Sequence, residues 1–130
     1  MFASNEKLKL VILGGTDALI LSPELKTRNI PVIVGPVMTR PVTSYDPFDA
    51  PYANAGRLFE AGVAICIRSD NASNSRNAPF EAAQAVAYGL PADEGLKSVT
   101  LNAAKLLGID AHVGSLRTGQ LANIGITTRS

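Results

Sequence analysis

Apolar residues fall along this chain in two kinds of run. Short unbroken ones read as strands buried on both faces: Lys9-Leu10-Val11-Ile12-Leu13 ended by Gly14-Gly15, Pro31-Val32-Ile33-Val34-Gly35, and Val63-Ala64-Ile65-Cys66-Ile67. The runs between them recur at helical spacing. Asp17 to Thr27 is expected to be helical, with Thr16 or Asp17 as N-cap and Ala18, Leu19, Leu21 and Leu25 on the apolar side. Pro23 must then mark a kink or a restart. Ala53 to Ala61 turns Ala55, Leu58 and Phe59 toward the sheet and stops at Gly62.

Downstream, Asn77 or Ala78 caps a helix that has Pro79 in its first turn, runs to Tyr88 and ends at Gly89. Pro91-Ala92-Asp93-Glu94 opens another, with Leu96, Val99, Thr100, Ala103, Ala104 and Leu107 on one side and Gly108 as C-cap. Asp110 to Gly119 is a turn-rich connector, and Leu121 to Thr127 a candidate terminal strand. Pro36, Pro41, Pro47 and Pro51 exclude an unbroken helix or central strand from Pro36 to Tyr52, which reads as a long shaped loop. The order β-α-β-α-β-α-α-(β) calls for a parallel sheet with right-handed crossovers, an α/β fold.

Composition narrows the picture. At 130 residues the chain has room for one ordinary domain, well short of the roughly 250 residues of a whole (β/α)8 barrel. With 46% hydrophobic and 18% charged residues it can bury a core, so disorder is excluded as a description of the whole. A net charge of +1 without a Lys/Arg cluster gives no footprint for nucleic acid. No apolar run reaches a membrane span and the start lacks the order of a signal peptide, so a cytoplasmic location is expected. The single Cys66 rules out an intrachain disulfide and reads as a small core residue.

In a parallel α/β fold reactive groups gather at the carboxyl ends of the strands. Three such ends are predicted: Gly14-Gly15-Thr16-Asp17, the loop from Gly35 to Tyr52, and Arg68-Ser69-Asp70-Asn71. Asp70 leads the candidates for catalysis, the bland reading being a turn or helix cap. Arg40, Tyr45, Asp46 and Tyr52 on the long loop are placed to meet a substrate, or else belong to a solvated loop with its aromatics packed beneath. Arg68 and Arg76 flank Asp70, and either would lower its pKa if close or pair with a substrate carboxylate. Gly14, Gly15 and Thr16 form a glycine turn that could cradle an anion, or one that only admits close strand–helix packing. His112, the one histidine, lies in the connector and reads as a turn or surface residue.

From Tyr88 to Ala122, the positions Thr100, Asn102, Ala103, Ala104, Leu107, Gly108, Gly114, Ser115, Leu116 and Gly119 resemble the carboxy-terminal end of metal-dependent amidohydrolases. The phrase from Ala61 to Asp70 resembles the eighth barrel strand of that family. The Gly14-Gly15 turn, the strand from Ile30 to Ile33 and the Pro-rich loop are similar to an imidazolonepropionase-related group. The resemblance implies a partial (β/α)8 TIM barrel: residues 1–111 as barrel, with 8–107 its sixth to eighth β/α units, and 112–130 as the return to a small β-sandwich.

By the same resemblance, Asp70 helps to hold a metal-bound water and acts as general base in hydrolysis of an amide or cyclic-amide C–N bond of a small molecule. The cofactor implied for a complete enzyme is Zn²⁺ or another divalent metal. No HxH pair is present in the chain, and Asp70 with His112 falls short of the three or four ligands a zinc site needs. The chain alone is therefore expected to bind no metal and to be inactive. The competing expectation is a non-catalytic α/β module with an anion site at Gly14-Gly15-Thr16. Open strand edges lead either reading to expect a homo-oligomer.

Overall fold

A computed structural model describes residues 8–126. Its centre is a parallel three-stranded sheet of β1 (Ile12–Gly14), β2 (Val32–Val34) and β3 (Ile65–Ile67), ordered β1-β2-β3. The register sets Ile12 beside Val32 and Val32 beside Ile65. All three runs expected as strands are strands, each trimmed to three residues. β3 is buried throughout, as an unbroken apolar run demands. β1 departs from that expectation, because Leu13 is 64% exposed. As an outer strand among the described residues, β1 has no neighbour on one side there, and nothing among them covers Leu13.

The predicted helix from Asp17 to Thr27 is two elements: a 3-10 turn at Ala18–Leu21, then α1 at Ser22–Thr27. Pro23 sits in the first turn of α1, so the restart was the right half of the expectation; a missing N–H costs nothing there. Of the four residues given to its apolar side, Ala18 and Leu25 are buried while Leu19 and Leu21 are exposed. Asp17 flanks the 3-10 turn without capping it through its side chain.

The same proline logic shortens the long loop. α2 spans Ala50–Glu60 and takes Pro51 into its first turn, so residues 50–52, expected in the loop, are helical. Ala55 and Leu58 are fully buried against the sheet, as expected. Burying a side chain such as Leu58 contributes about 1.5–3 kcal/mol. α3 (Ala78–Ala87) again carries its proline in the first turn and adds Ala82 and Ala85 to the core. A six-residue 3-10 segment, Ala72–Asn77, joins it to the β3 loop.

The helix expected from Pro91 to Leu107 is broken into α4 (Ala92–Ser98) and α5 (Leu101–Leu107). Hydroxyls explain the break: Ser98 Oγ donates to the Gly95 carbonyl at 2.7 Å and Thr100 Oγ1 to the Leu96 carbonyl at 2.7 Å. Such local bonds end a helix by satisfying its last carbonyls. The break leaves Leu96 and Leu107 exposed and Ala104 buried. Gly108 closes α5 at φ +74, the expected C-cap.

Beyond α5 the connector folds back, and the Leu121 N–H reaches the His112 carbonyl at 2.8 Å. Asp110 gathers it, accepting at its carbonyl from Gln120 Nε2 (2.7 Å) and Arg117 Nη2 (3.3 Å). A Cβ on Gly114 would lie 2.8 Å from that of Ala104, so glycine is what lets this loop rest on α5. The terminal strand expected from Leu121 does not form over residues 121–126, which have no neighbouring strand among the described residues to complete a ladder; Thr127 lies outside the described residues. Among the described residues no helix is long and apolar enough to cross a membrane.

Candidate active site at the carboxyl ends of the strands

The carboxyl ends of the three strands deliver their loops to one side of the sheet. β2 and β3 are drawn together there by Gly35, whose φ is +125. A Cβ at this position would fall inside contact distance of the Arg68 carbonyl. The backbone of the β2 loop thus packs directly on that of the β3 loop, two residues before Asp70.

Asp70 is exposed. Its carboxylate accepts one long bond, from Asn71 Nδ2 at 3.3 Å, and has no cation partner among the described residues. Arg68, expected to pair with it or with a substrate carboxylate, does not pair with the Asp70 carboxylate. Its Nη1 donates to the carbonyls of Ser69 (3.3 Å) and Asp70 (2.9 Å), folding the guanidinium under its own loop. The buried Nε of Arg68 has no hydrogen-bond partner among the described residues. Asn71 rather than Asp70 caps the following 3-10 segment, accepting from the Asn74 N–H at 3.2 Å. The bland reading of Asp70 as a cap is therefore not what the side chain does.

A cleft of ≈ 290 Å³ opens between the β1 and β2 ends, lined by Thr16, Asp17, Thr39, Arg40, Asp46 and Asn54 among others. Arg40 is the one candidate from the long loop that reaches it as a cation. Asp46 is engaged locally, accepting from the Thr43 N–H at 2.9 Å. Tyr45 is 96% exposed and not part of the cleft wall, whereas Tyr52 packs between Phe48 (ring centroids 5.7 Å) and Tyr88 (5.0 Å). Arg76 is exposed on the 3-10 segment. Asp70 and Arg68 thus share the loop after β3 and Arg76 follows on the 3-10 segment, while Arg40 faces the neighbouring cleft.

Gly14 and Thr16 line the cleft as well, but the element that follows them is a four-residue 3-10 turn. Gly15 is packed so that a Cβ would meet Val32 Cγ1 at 2.5 Å and Ala18 Cβ at 3.2 Å. Its carbonyl accepts from Asn54 Nδ2 at 3.2 Å. Close packing accounts for this glycine. A larger hollow, ≈ 490 Å³, lies at the opposite, amino-terminal ends of the strands, where Lys9, Glu94 and Lys105 line it. It contains none of the catalytic candidates.

Cys66 is buried in β3, and burial pushes its thiol pKa up, as suits a core residue. His112 is exposed in the connector, its carbonyl rather than its ring holding the loop. No group of three or more His, Cys, Asp or Glu is arranged to hold a metal ion among the described residues. Asp70 could serve as one ligand of a divalent metal. The residues around it do not fit such an ion by themselves, since no group of three or more possible ligands includes it among the described residues and its sequence neighbour Arg68 is a cation.

Glu81 was invisible to the sequence reading. It is 5% exposed, in the first turn of α3, and its Oε2 accepts the N–H groups of Val37 (2.6 Å) and Met38 (2.8 Å). The available signal was an acid beside Ala82 on the face that Ala78 and Ala85 make apolar.

Parallel strands joined by helices, with polar loops collected at their carboxyl ends, define a segment of a parallel α/β protein. The Amidohydrolase family matches residues 24–128, and the chain belongs to that family. It is 40% identical over 90 residues to imidazolonepropionase of Symbiobacterium thermophilum, a match covering 66% of this chain and 21% of that protein. Imidazolonepropionase of Picrophilus torridus is 33% identical over 87 residues, 65% of this chain and 22% of that one. An amidohydrolase from Thermotoga maritima MSB8 superposes with a TM-score of 0.78 at 32% identity, over 92% of this chain and 31% of its own. The chain thus spans about a fifth of the length of the relatives it matches in sequence.

Proposed function

We propose that this chain supplies the last three β/α units of an amidohydrolase barrel, and that Asp70 is the proton-handling carboxylate of a C–N hydrolase acting on a small amide or cyclic amide. Residues 8–107 are the barrel units in this reading, and 112–127 lead back toward a sandwich domain. One observation carries it: within the family match, the end of β3 presents a carboxylate that is exposed, weakly bonded and free of the adjacent Arg68 guanidinium. Such a carboxylate can take a proton from an attacking water and return it to the leaving nitrogen as the C–N bond breaks. Arg40 at the cleft is the group best placed to orient an anionic part of the substrate, with the exposed Arg76 on the following 3-10 segment a second cation; Arg68 would first have to give up its bonds to its own loop.

The chain by itself is read as inactive and metal-free, because no group of three or more possible ligands forms among the described residues. Zn²⁺ or another divalent metal belongs in this reading to a complete barrel. The test replaces the matching segment of the Thermotoga maritima amidohydrolase with residues 8–126 and compares the chimera with its Asp70→Asn form. A fall in kcat of about 10²-fold or more, with metal content unchanged, is expected; a change within twofold would remove Asp70 from the chemistry.

Leu13 favours a second reading that is compatible with the first. An outer strand with an exposed apolar side chain and an unpaired edge invites a neighbour, and a second copy of the chain is the occupant at hand. Light scattering of the purified chain should give a mass above that of one copy; a well-folded monomer at micromolar concentration removes this reading.

A further inference from the structure

The β2 loop has a donor problem at its stem. Pro36 has no N–H, and the two residues after it have left the strand, so the Val37 and Met38 N–H groups point away from any ladder. Val37 is fully buried. Left unpaired, the buried Val37 donor would be strongly unfavourable, whereas Met38 is 48% exposed and its bond only part-buried. Both are taken by a single oxygen, Oε2 of Glu81, 44 residues further along at the start of α3. No ion pair reaches Glu81 among the described residues, so these two N–H groups and the amino-terminal turn of α3 are what offset the burial of a carboxylate.

We infer that Glu81 is a positioning residue: it locks the stem of the loop carrying Arg40 to the helix that follows the Asp70 loop, so that the cleft and the β3 end move as one unit. This rests on reading those strand ends as the active site. The geometry itself does not. Three features make the link directional. The bonds go to consecutive residues at the base of the loop; beyond them, Thr39 and Arg40 enter the cleft wall. Gly35, just before them, packs on the Arg68 carbonyl. Glu81 therefore fastens the loop from the far side of the same junction. No other acidic side chain is so buried among the described residues.

The test uses residues 1–130 with Glu81→Ala, Glu81→Asp and Glu81→Gln, and Ser98→Ala as control. Ser98 is also buried, but its hydroxyl bonds only within its own helix, so its loss should lower stability without touching the β2 loop. In the parent, NMR should find the Val37 and Met38 amide protons well downfield, as short bonds to a carboxylate require. Glu81→Ala should erase that shift and raise amide exchange at Val37 and Met38 at least tenfold relative to Val34 and Ile67. Glu81→Gln, which keeps length and an acceptor, should restore most protection, and the shorter Glu81→Asp should not. Uniform acceleration across the core, or equal effects from Ser98→Ala, would overturn the assignment. If Glu81→Ala does not fold, the Gln and Asp pair decides it by the same two readouts. Failure of the Asp70 chimera with these results intact would refute the active-site reading alone.

Discussion

Replacing Gly35 by alanine attacks the place where two strand ends meet backbone to backbone. Two costs should add. At φ +125 an L-residue is held in a region it rarely adopts, worth about 1–3 kcal/mol. The new Cβ also meets the Arg68 carbonyl, a backbone atom that cannot rotate aside as a side chain would. Overpacking of that kind adds about 1–3 kcal/mol. Gly89 isolates the second cost, since its φ is +108 and nothing lies within 4 Å of a Cβ built there. Gly89→Ala should therefore lose only the conformational share. Urea unfolding followed by circular dichroism, with equal m-values, should place Gly35→Ala below Gly89→Ala by about 1–3 kcal/mol. Against a domain stability of about 5–15 kcal/mol, that difference is readily measured. Chemical shifts of Arg68 to Asn71 should move in Gly35→Ala and stay fixed in Gly89→Ala. Equal destabilisation of the two variants, or a milder effect at Gly35, would refute the close-approach argument.

Glu94 offers a pH-dependent contribution. The bond from Lys97 (2.7 Å) holds its carboxyl below the usual range, with burial working against this and Asn102 adding to it. A lowered folded pKa stabilises the protein above the unfolded carboxylate value of about 4.3, and the benefit is lost as pH falls through the folded pKa. Glu94→Gln should cost on the order of a degree or two in Tm at pH 7 and nothing near pH 2, as melting curves at both would show. Cys66 is 4% exposed with its thiol pKa raised. Iodoacetamide should label it about 100-fold more slowly in the native chain than in urea, and comparable rates would mean β3 opens freely.

The sequence made the strands legible because an unbroken apolar run closed by glycine or proline has few other uses. Helix existence was equally plain: Ala55, Leu58 and Ala104, read on apolar faces, are all buried, and Pro79 and Gly89 bracketed α3. Boundaries were harder. Pro51 counts against a helix in any local reading, yet the first turn accepts it, and Ser98 and Thr100 break a helix through hydroxyl bonds that apolar periodicity does not register. Leu13 shows a different limit: its burial depends on what lies beside β1, which local pattern does not contain. At the site, the position of Asp70 could be read as the end of a strand. Arg68 could not be assigned, because whether a guanidinium reaches a carboxylate or a carbonyl is decided by tenths of an ångström of loop geometry. Glu81 was hidden for a related reason, its partners being backbone N–H groups that carry no sequence identity.

Strand order in this sheet equals chain order, and that has a kinetic meaning. Pairing Ile12 with Val32 closes 20 residues and pairing Val32 with Ile65 closes 33, so the second closure costs only about 0.4 kcal/mol more in chain entropy. Neither step waits on a strand from further along. The sheet can therefore grow in the direction the polypeptide is made, each new strand docking on the last, with β1–β2 pairing available while the chain beyond residue 34 is still being synthesised.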